Sequence, residues 1–270
     1  MPTAPLFDAW SDVSTPLIGM VHLQPLPGAP RFQPDAGGVG HVLDRALGDA
    51  EVLVGAGVHG LLVENFGDAP YFPGPVPAHV VAHMTAIACA LRRTTDLPLG
   101  INVLRNDGPG ALAVAVAAGA QFIRVNVLCG ARVTDQGLIQ AGAHDLLRDR
   151  ARLHAGHIRI FADVDVKHSS PLAPRALEDE VRDTIHRGLA DAIIVSGSGT
   201  GQAVDVQILK AAKSAAGGTP VFIGSGITAE TIRSYRSVAN GFIVGTALKR
   251  DGNPTNEVSA ARVKALLAQL

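Results

Sequence analysis

In the run Ile160-Phe161-Ala162-Asp163-Val164-Asp165-Val166-Lys167, two carboxylates and an ammonium alternate with apolar side chains. At the two-residue period of a β-strand, Asp163, Asp165 and Lys167 share one face, and Ala162, Val164 and Val166 the other. The charged face is an inventory for moving protons beside a carbonyl or for gripping an anion. Lys167 could bind a phosphate or carboxylate, transfer a proton, or form a Schiff base. Farther along, Gly224-Ser225-Gly226-Ile227-Thr228 and Val244-Gly245-Thr246-Ala247-Leu248-Lys249 each end a β-branched apolar run and lead toward helix-like sequence. Side chains without bulk at Gly224, Ser225, Gly226, Gly245 and Thr246 would let backbone N–H groups approach a phosphate. The run Ser196-Gly197-Ser198-Gly199-Thr200-Gly201 offers a third such loop, with Ser196, Gly197 and Gly199 as the candidate contacts. Any one of these runs alone is an ordinary loop.

Carboxylates buried in a strand cost several kcal/mol unless they are paired. Arg124, which alternates with Ile123 and Val125 one strand earlier, is the expected partner of Asp163. That pair could serve structure alone or chemistry as well. Asn126 on the same strand, Asn102 between Ile101 and Val103, His22, Glu64 and Asn65 also fall near strand ends. His22 and His168 are candidate acid–base groups, although a lone histidine is commonly a hydrogen-bonded structural residue. Asp163, Asp165 and Glu64 are the acids that would hold a divalent cation such as Mg²⁺. No clustered histidine motif accompanies them, so the pattern assigns no metal ligand.

These residues need a frame. Strand-like runs at 17–23, 60–64, 97–104, 122–128, 158–167, 192–196, 221–224 and 242–245 alternate with helix-like stretches. The helices are expected at 39–55, 79–94, 110–118, 138–154, 176–187, 204–215, 229–238 and 256–270. Strands separated by such helices form parallel βαβ units, and about eight of them make a (β/α)8, or TIM, barrel. Residues 1–270 are read as one such domain, since no linker or composition shift divides them. Its phosphate site would lie at the C-terminal ends of the seventh and eighth strands, with the polar candidates on the same rim. An open doubly wound sheet is the competing fold, but no G-x-G-x-x-G follows the first strand.

Composition narrows the partners. The 270 residues are 47% hydrophobic and 17% charged with a formal net charge of −1, so there is no electrostatic footprint for nucleic acid. An aromatic share of 4% gives little with which to stack bases. No uninterrupted apolar stretch of about 18 residues is present, so no membrane span is expected. Cys89 and Cys129 make no disulfide framework; Cys89 reads as core filler, and Cys129 as an inert thiol or a pocket-lining one. The chain reads as soluble and cytoplasmic, with a homo-oligomer compatible with its size.

The segment Ile18-Gly19-Met20-Val21-His22-Leu23-Gln24-Pro25-Leu26-Pro27-Gly28-Ala29-Pro30 resembles the N-terminal signature of the BtpA/SgcQ family. Phe161 through Ser169, the run from Val195 to Gly201, and the two glycine junctions are similar to later motifs of that family. The resemblance implies a phosphate-binding barrel. The family takes its name from a thylakoid-associated protein needed for photosystem I biogenesis, has members in non-photosynthetic microbes, and has a branch among sugar-phosphate proteins.

The resulting expectation is an enzyme on a small phosphorylated metabolite, such as a sugar or ribosyl phosphate, working by isomerisation or aldol-type cleavage. Asp165 is its expected base, with Lys167 or His22 stabilising an enediolate or acting as the acid. A non-catalytic assembly or regulatory factor is the alternative, and an FMN or nucleotide binder a further one. The low aromatic content leaves little for an isoalloxazine pocket.

Overall fold

The computed structural model describes residues 5–197 and 203–270. Eight parallel strands close into a barrel: β1 Leu17–His22, β2 Gly60–Glu64, β3 Leu99–Asn102, β4 Phe122–Val125, β5 Arg159–Val164, β6 Ala192–Val195, β7 Val221–Ile223 and β8 Gly241–Val244. β8 closes on β1 in the register Ile18 to Ile243. The helices between and after them are α1 Gly38–Ala56, α2 Ala78–Arg92, α3 Gly108–Ala118, α4 Ala143–Arg152, α5 Leu177–His186, α6 Val206–Ala216, α7 Ile232–Tyr235 and α8 Ala260–Leu267. Local chemistry sets several of their ends. Asp107 caps α3 by accepting from the Gly110 N–H at 2.8 Å, and Asp205 caps α6 from Gln207 at 2.7 Å. Gly57, at φ +98°, ends α1 in the left-handed conformation that glycine adopts without strain.

The inward faces of the strands divide into two layers. Toward the N-terminal end stand Ile18, Met20, Leu62, Phe122, Phe161, Ile194, Phe222 and Ile243, packed against Phe7 and Trp10 from the segment before β1. Burying each of these large side chains contributes about 1.5–3 kcal/mol. Two glycines make the rings fit. A Cβ on Gly100 would lie 2.2 Å from the Phe122 ring, and one on Gly241 2.3 Å from Phe222. Two residues farther along the same strands the layer becomes polar, with His22, Glu64, Asn102, Arg124 and Asp163 all buried.

The expected helix over 138–154 begins as strand, through Gln140. Ala131–Thr134 pairs antiparallel with Gly137–Gln140 and with Ser169–Pro171 in a small sheet above the barrel, and α4 begins only at Ala143. Gly137, at φ +93°, makes the hairpin turn, and Arg132 anchors the sheet through Ser169, Glu180 and Asp165. The helices expected over 229–238 and 256–270 are shorter as well. Val258 bridges to Lys249 as extended chain, which delays the last helix to Ala260.

Candidate active site

β4 and β5 bring their charged residues together in the polar layer. The Arg124 guanidinium forks onto Asp163, with Nε and Nη2 each donating at 2.8 Å to a different carboxylate oxygen. Asn126 donates to Asp163 at 3.0 Å and Ser196 at 3.4 Å, while Asn102 donates to Asn126 at 3.1 Å. Burial alone would lower the Arg124 pKa, but the adjoining Asp163 charge holds it above its usual value. The expected Arg124–Asp163 pair is therefore real, buried and doubly bonded. Asn102 is sealed behind it, with Oδ1 buried and unbonded among the described residues.

Asp165 does not join them. β5 stops at Val164, and Asp165 sits at φ +47°, so the strand alternation that would have turned it inward is broken. Its side chain is 57% exposed and pairs with Arg132, while its N–H donates to Glu180 at 2.9 Å. The shared face of Asp163, Asp165 and Lys167 is thus corrected to Asp163 alone, with Lys167 brought back over the barrel by the loop. The three acids considered for a cation are dispersed. Among the described residues, no group of three or more His, Cys, Asp or Glu is placed to hold a metal ion.

Two cavities open onto the polar layer and share Glu64, Phe66, Arg124 and Lys167. The smaller, ≈ 200 Å³, has Gly224–Thr228 and Val244–Ala247 as its far wall, so Gly224, Ser225, Gly226, Gly245 and Thr246 all face it. Its glycines are sterically required. A Cβ on Gly224 would lie 2.5 Å from Ile194, one on Gly245 2.8 Å from His22, and Gly226 has φ +71°. Gly197 reaches this wall from behind, its N–H donating to the Ser225 hydroxyl at 2.9 Å. Gly199 lies outside the described residues. The larger cavity, ≈ 630 Å³, runs under the small sheet past Tyr71, Arg105, Asn126 and His168.

At the junction, Lys167 has no hydrogen bond or ion pair from its ammonium among the described residues. Burial, and after it the Arg124 charge, push its pKa down. Across from it, Glu64 has one ionisable neighbour in ion-pair range among the described residues, the His22 ring at 3.9 Å. His22 stacks on Phe66 with ring centroids 4.4 Å apart, and its Nδ1 lies 3.3 Å from the Pro254 carbonyl oxygen. That oxygen can only accept, so Nδ1 carries the proton of the neutral ring and Nε2 presents a lone pair. Burial, with help from Lys249, lowers the His22 pKa to about 3. His22 is therefore neutral at ordinary pH, and Glu64 and Lys167 are the ionisable groups at the junction that have no charged partner in ion-pair range among the described residues.

Sequence reasoning missed Arg105, Phe66 and Tyr71. The polar trio Arg105-Asn106-Asp107, directly after the third strand, was the available signal for the first of these. The cysteines stay outside the cavities. Cys129 contacts the Asp183 carbonyl oxygen and is raised in pKa by burial, and Cys89 lies against α3.

The whole barrel, residues 13–270, matches the BtpA family. The chain belongs to that family. It is 48% identical over 252 residues to the photosystem I biogenesis protein BtpA of Synechocystis sp., covering 93% of this chain and 86% of that protein. An uncharacterized protein of Thermococcus kodakarensis is equally similar, 48% identical over 93% of this chain and 94% of its own length. Among solved structures, phosphoribosyl anthranilate isomerase from Thermus thermophilus superimposes with a TM-score of 0.56 at 11% identity, covering 94% of this chain and 98% of that one. Likeness at that identity is one of fold. No helix among the described residues of this BtpA-family chain is long and apolar enough to cross a membrane.

Proposed function

We propose that the protein acts on a small phosphorylated metabolite, seating its phosphate on the glycine wall and moving a proton at a carbon beside a carbonyl. The observation that carries this reading is the pair of ionisable side chains, Glu64 and Lys167, facing that wall across a shared cavity with no ion pair to a charged group among the described residues. The phosphate anchors one end of the ligand and so positions the carbons over the junction. Glu64 takes the base role expected of Asp165, which faces Arg132 instead. Its carboxylate removes the proton next to the carbonyl, and the electron pair passes to the carbonyl oxygen. The Lys167 ammonium stabilises that oxygen as an enediolate by donating to it. Return of the proton to the neighbouring carbon, with passage of the hydroxyl proton from one enediolate oxygen to the other, completes an isomerisation. In an aldol-type cleavage Glu64 instead takes the proton of the hydroxyl one carbon beyond, and that carbon leaves as a carbonyl. The electron pair of the broken bond passes to the oxygen held by Lys167, giving the same enediolate. A fold neighbour named as an isomerase of a phosphoribosyl compound is in keeping with this reading.

The second reading, an assembly factor without catalysis, rests on the name of the Synechocystis relative. The two readings separate in one experiment. Ketose and aldose phosphates incubated with the protein in D₂O are followed by proton NMR for loss of the C–H signal beside the carbonyl. The enzyme reading expects exchange, reduced about 10²–10⁴-fold in Glu64→Gln and in Lys167→Met. Exchange at the wild-type rate in both variants removes Glu64 and Lys167 from the chemistry. No exchange and no thermal shift with any phosphorylated compound favours the assembly factor.

A further inference from the structure

The larger cavity holds a cation that the proton-transfer chemistry does not use. Arg105 is only 4% exposed, yet no carboxylate pairs with it among the described residues. One of its nitrogens, Nη2, donates to the Lys167 carbonyl oxygen at 2.5 Å, which fixes the plane of the guanidinium. The remaining N–H groups have no protein partner among the described residues, and the side chain lines the cavity. A buried guanidinium left this way is costly unless something else completes it.

The charges around it set the chemistry of that something. Arg105, Arg124 and Lys167 meet two buried carboxylates, Glu64 and Asp163, and Asp163 is already saturated by Arg124, Asn126 and Ser196. Asp135, the third carboxylate on this cavity, is exposed. Arg124 is answered by Asp163, while the Arg105 charge has no carboxylate in ion-pair range among the described residues. A single carboxylate balances it, and a planar fork with free donors suits a planar carboxylate, whereas a second phosphate would bring about two charges to one cation. Leu104, Phe66 and Tyr71 line the same space, which at ≈ 630 Å³ is roomier than the ≈ 200 Å³ on the glycine side.

We infer that the substrate is a phosphorylated carboxylic acid, its phosphate on the glycine wall and its carboxylate received by Arg105 in the larger cavity. The inference rests on the proposed phosphate site and adds the second anchor. Lys167 and Glu64 line both cavities, so a ligand that spans the two passes its carbons over them. Arg105 is a specificity-determining residue in this arrangement and takes no part in the proton transfer.

Titration calorimetry with four probes tests it: inorganic phosphate, glucose 6-phosphate, 6-phosphogluconate and gluconate. The two sugar compounds carry the same phosphate and differ in whether a carboxylate stands at the other end. Wild-type protein is expected to bind 6-phosphogluconate about tenfold or more tightly than glucose 6-phosphate, the discrimination of a charged hydrogen-bonded site. Arg105→Gln should bring that ratio to about one while leaving inorganic phosphate and glucose 6-phosphate within about twofold of wild type. Arg105→Lys, which keeps the charge without the fork, should fall between and serves where the glutamine variant does not fold. Equal wild-type binding of the two sugar compounds, or a preference intact in the variants, overturns the inference and leaves the phosphate site standing. If inorganic phosphate and glucose 6-phosphate fail to bind, the phosphate site falls. Gluconate binding that Arg105→Gln abolishes then still supports the carboxylate anchor, and its absence removes that too.

Discussion

The barrel mouth has two unlike walls. On the β4–β5 side, Arg124, Asp163, Asn126 and Asn102 fill the space with bonds to one another, and their charges are largely spent inside the protein. On the β7–β8 side, Gly224, Gly226 and Gly245 bring no side chain to the cavity they line. Both walls come from the same strand positions, two residues beyond the aromatic layer. Replacing a side chain on the first wall unmakes a network, and adding one on the second fills a space meant for a ligand. The first wall is therefore answerable mainly to stability and the second mainly to binding. His22 belongs to both, since its ring occupies the space a Cβ on Gly245 would need and its Nε2 faces Glu64.

The largest expected effect is on the packed wall. Asp163→Ala leaves the Arg124 guanidinium buried without its carboxylate and should cost about 3–5 kcal/mol in urea unfolding. A loss under about 1 kcal/mol would mean the network is not what holds that wall. On the bare wall, Gly245→Ala should cost less, about 1–3 kcal/mol, because the His22 ring must move to admit the methyl group. Its larger signature should be loss of the thermal shift with inorganic phosphate, which Asp163→Asn should retain if it folds. A Gly245→Ala protein that still responds to phosphate would erase the contrast between the walls.

An effect spread over a pH range, and so smallest at any one neutral pH, is the dependence carried by His22. Its pKa is about 3 in the folded chain against 6.5 for the free side chain. The unfolded state therefore takes up a proton below about pH 6.5 that the folded state refuses until near pH 3. The contribution is complete above pH 6.5 and is lost on acidification, at about 1.4 kcal/mol per pH unit within that window. Urea unfolding between pH 7 and 5 should show the wild type losing stability faster than His22→Gln. Parallel slopes would place the ring in contact with solvent.

Much of the packed wall was legible because strand alternation is a local rule. Arg124, Asn126 and Asp163 announce an inward polar face by interrupting apolar runs at a period of two, and the pairing follows from the cost of burial. The glycine junctions were legible for a similar reason, since they end apolar runs. Asp165 was not, because alternation says nothing about where a strand stops, and a single left-handed residue turned its side chain toward Arg132. The hairpin at 131–140 was hidden by Leu138, Leu146 and Leu147, whose spacing mimics a helical face. Arg105 escaped because its bonded partner is a backbone carbonyl oxygen 62 positions away, and sequence carries no mark of such a contact.

One ion pair lies away from the mouth. Lys249, just after β8, meets Asp49 of α1 at 2.5 Å with both side chains buried, and the same Asp49 accepts from the Val258 N–H at 2.7 Å. The two residues stand 200 positions apart and come from the first and last units of the ring, so they work as a buckle rather than a rivet. Asp49 has Arg45 of its own helix at 3.4 Å, but Lys249 gains its carboxylate only when the circle shuts. Such a ring has a reason to be whole or undone, with little comfort at any stage between.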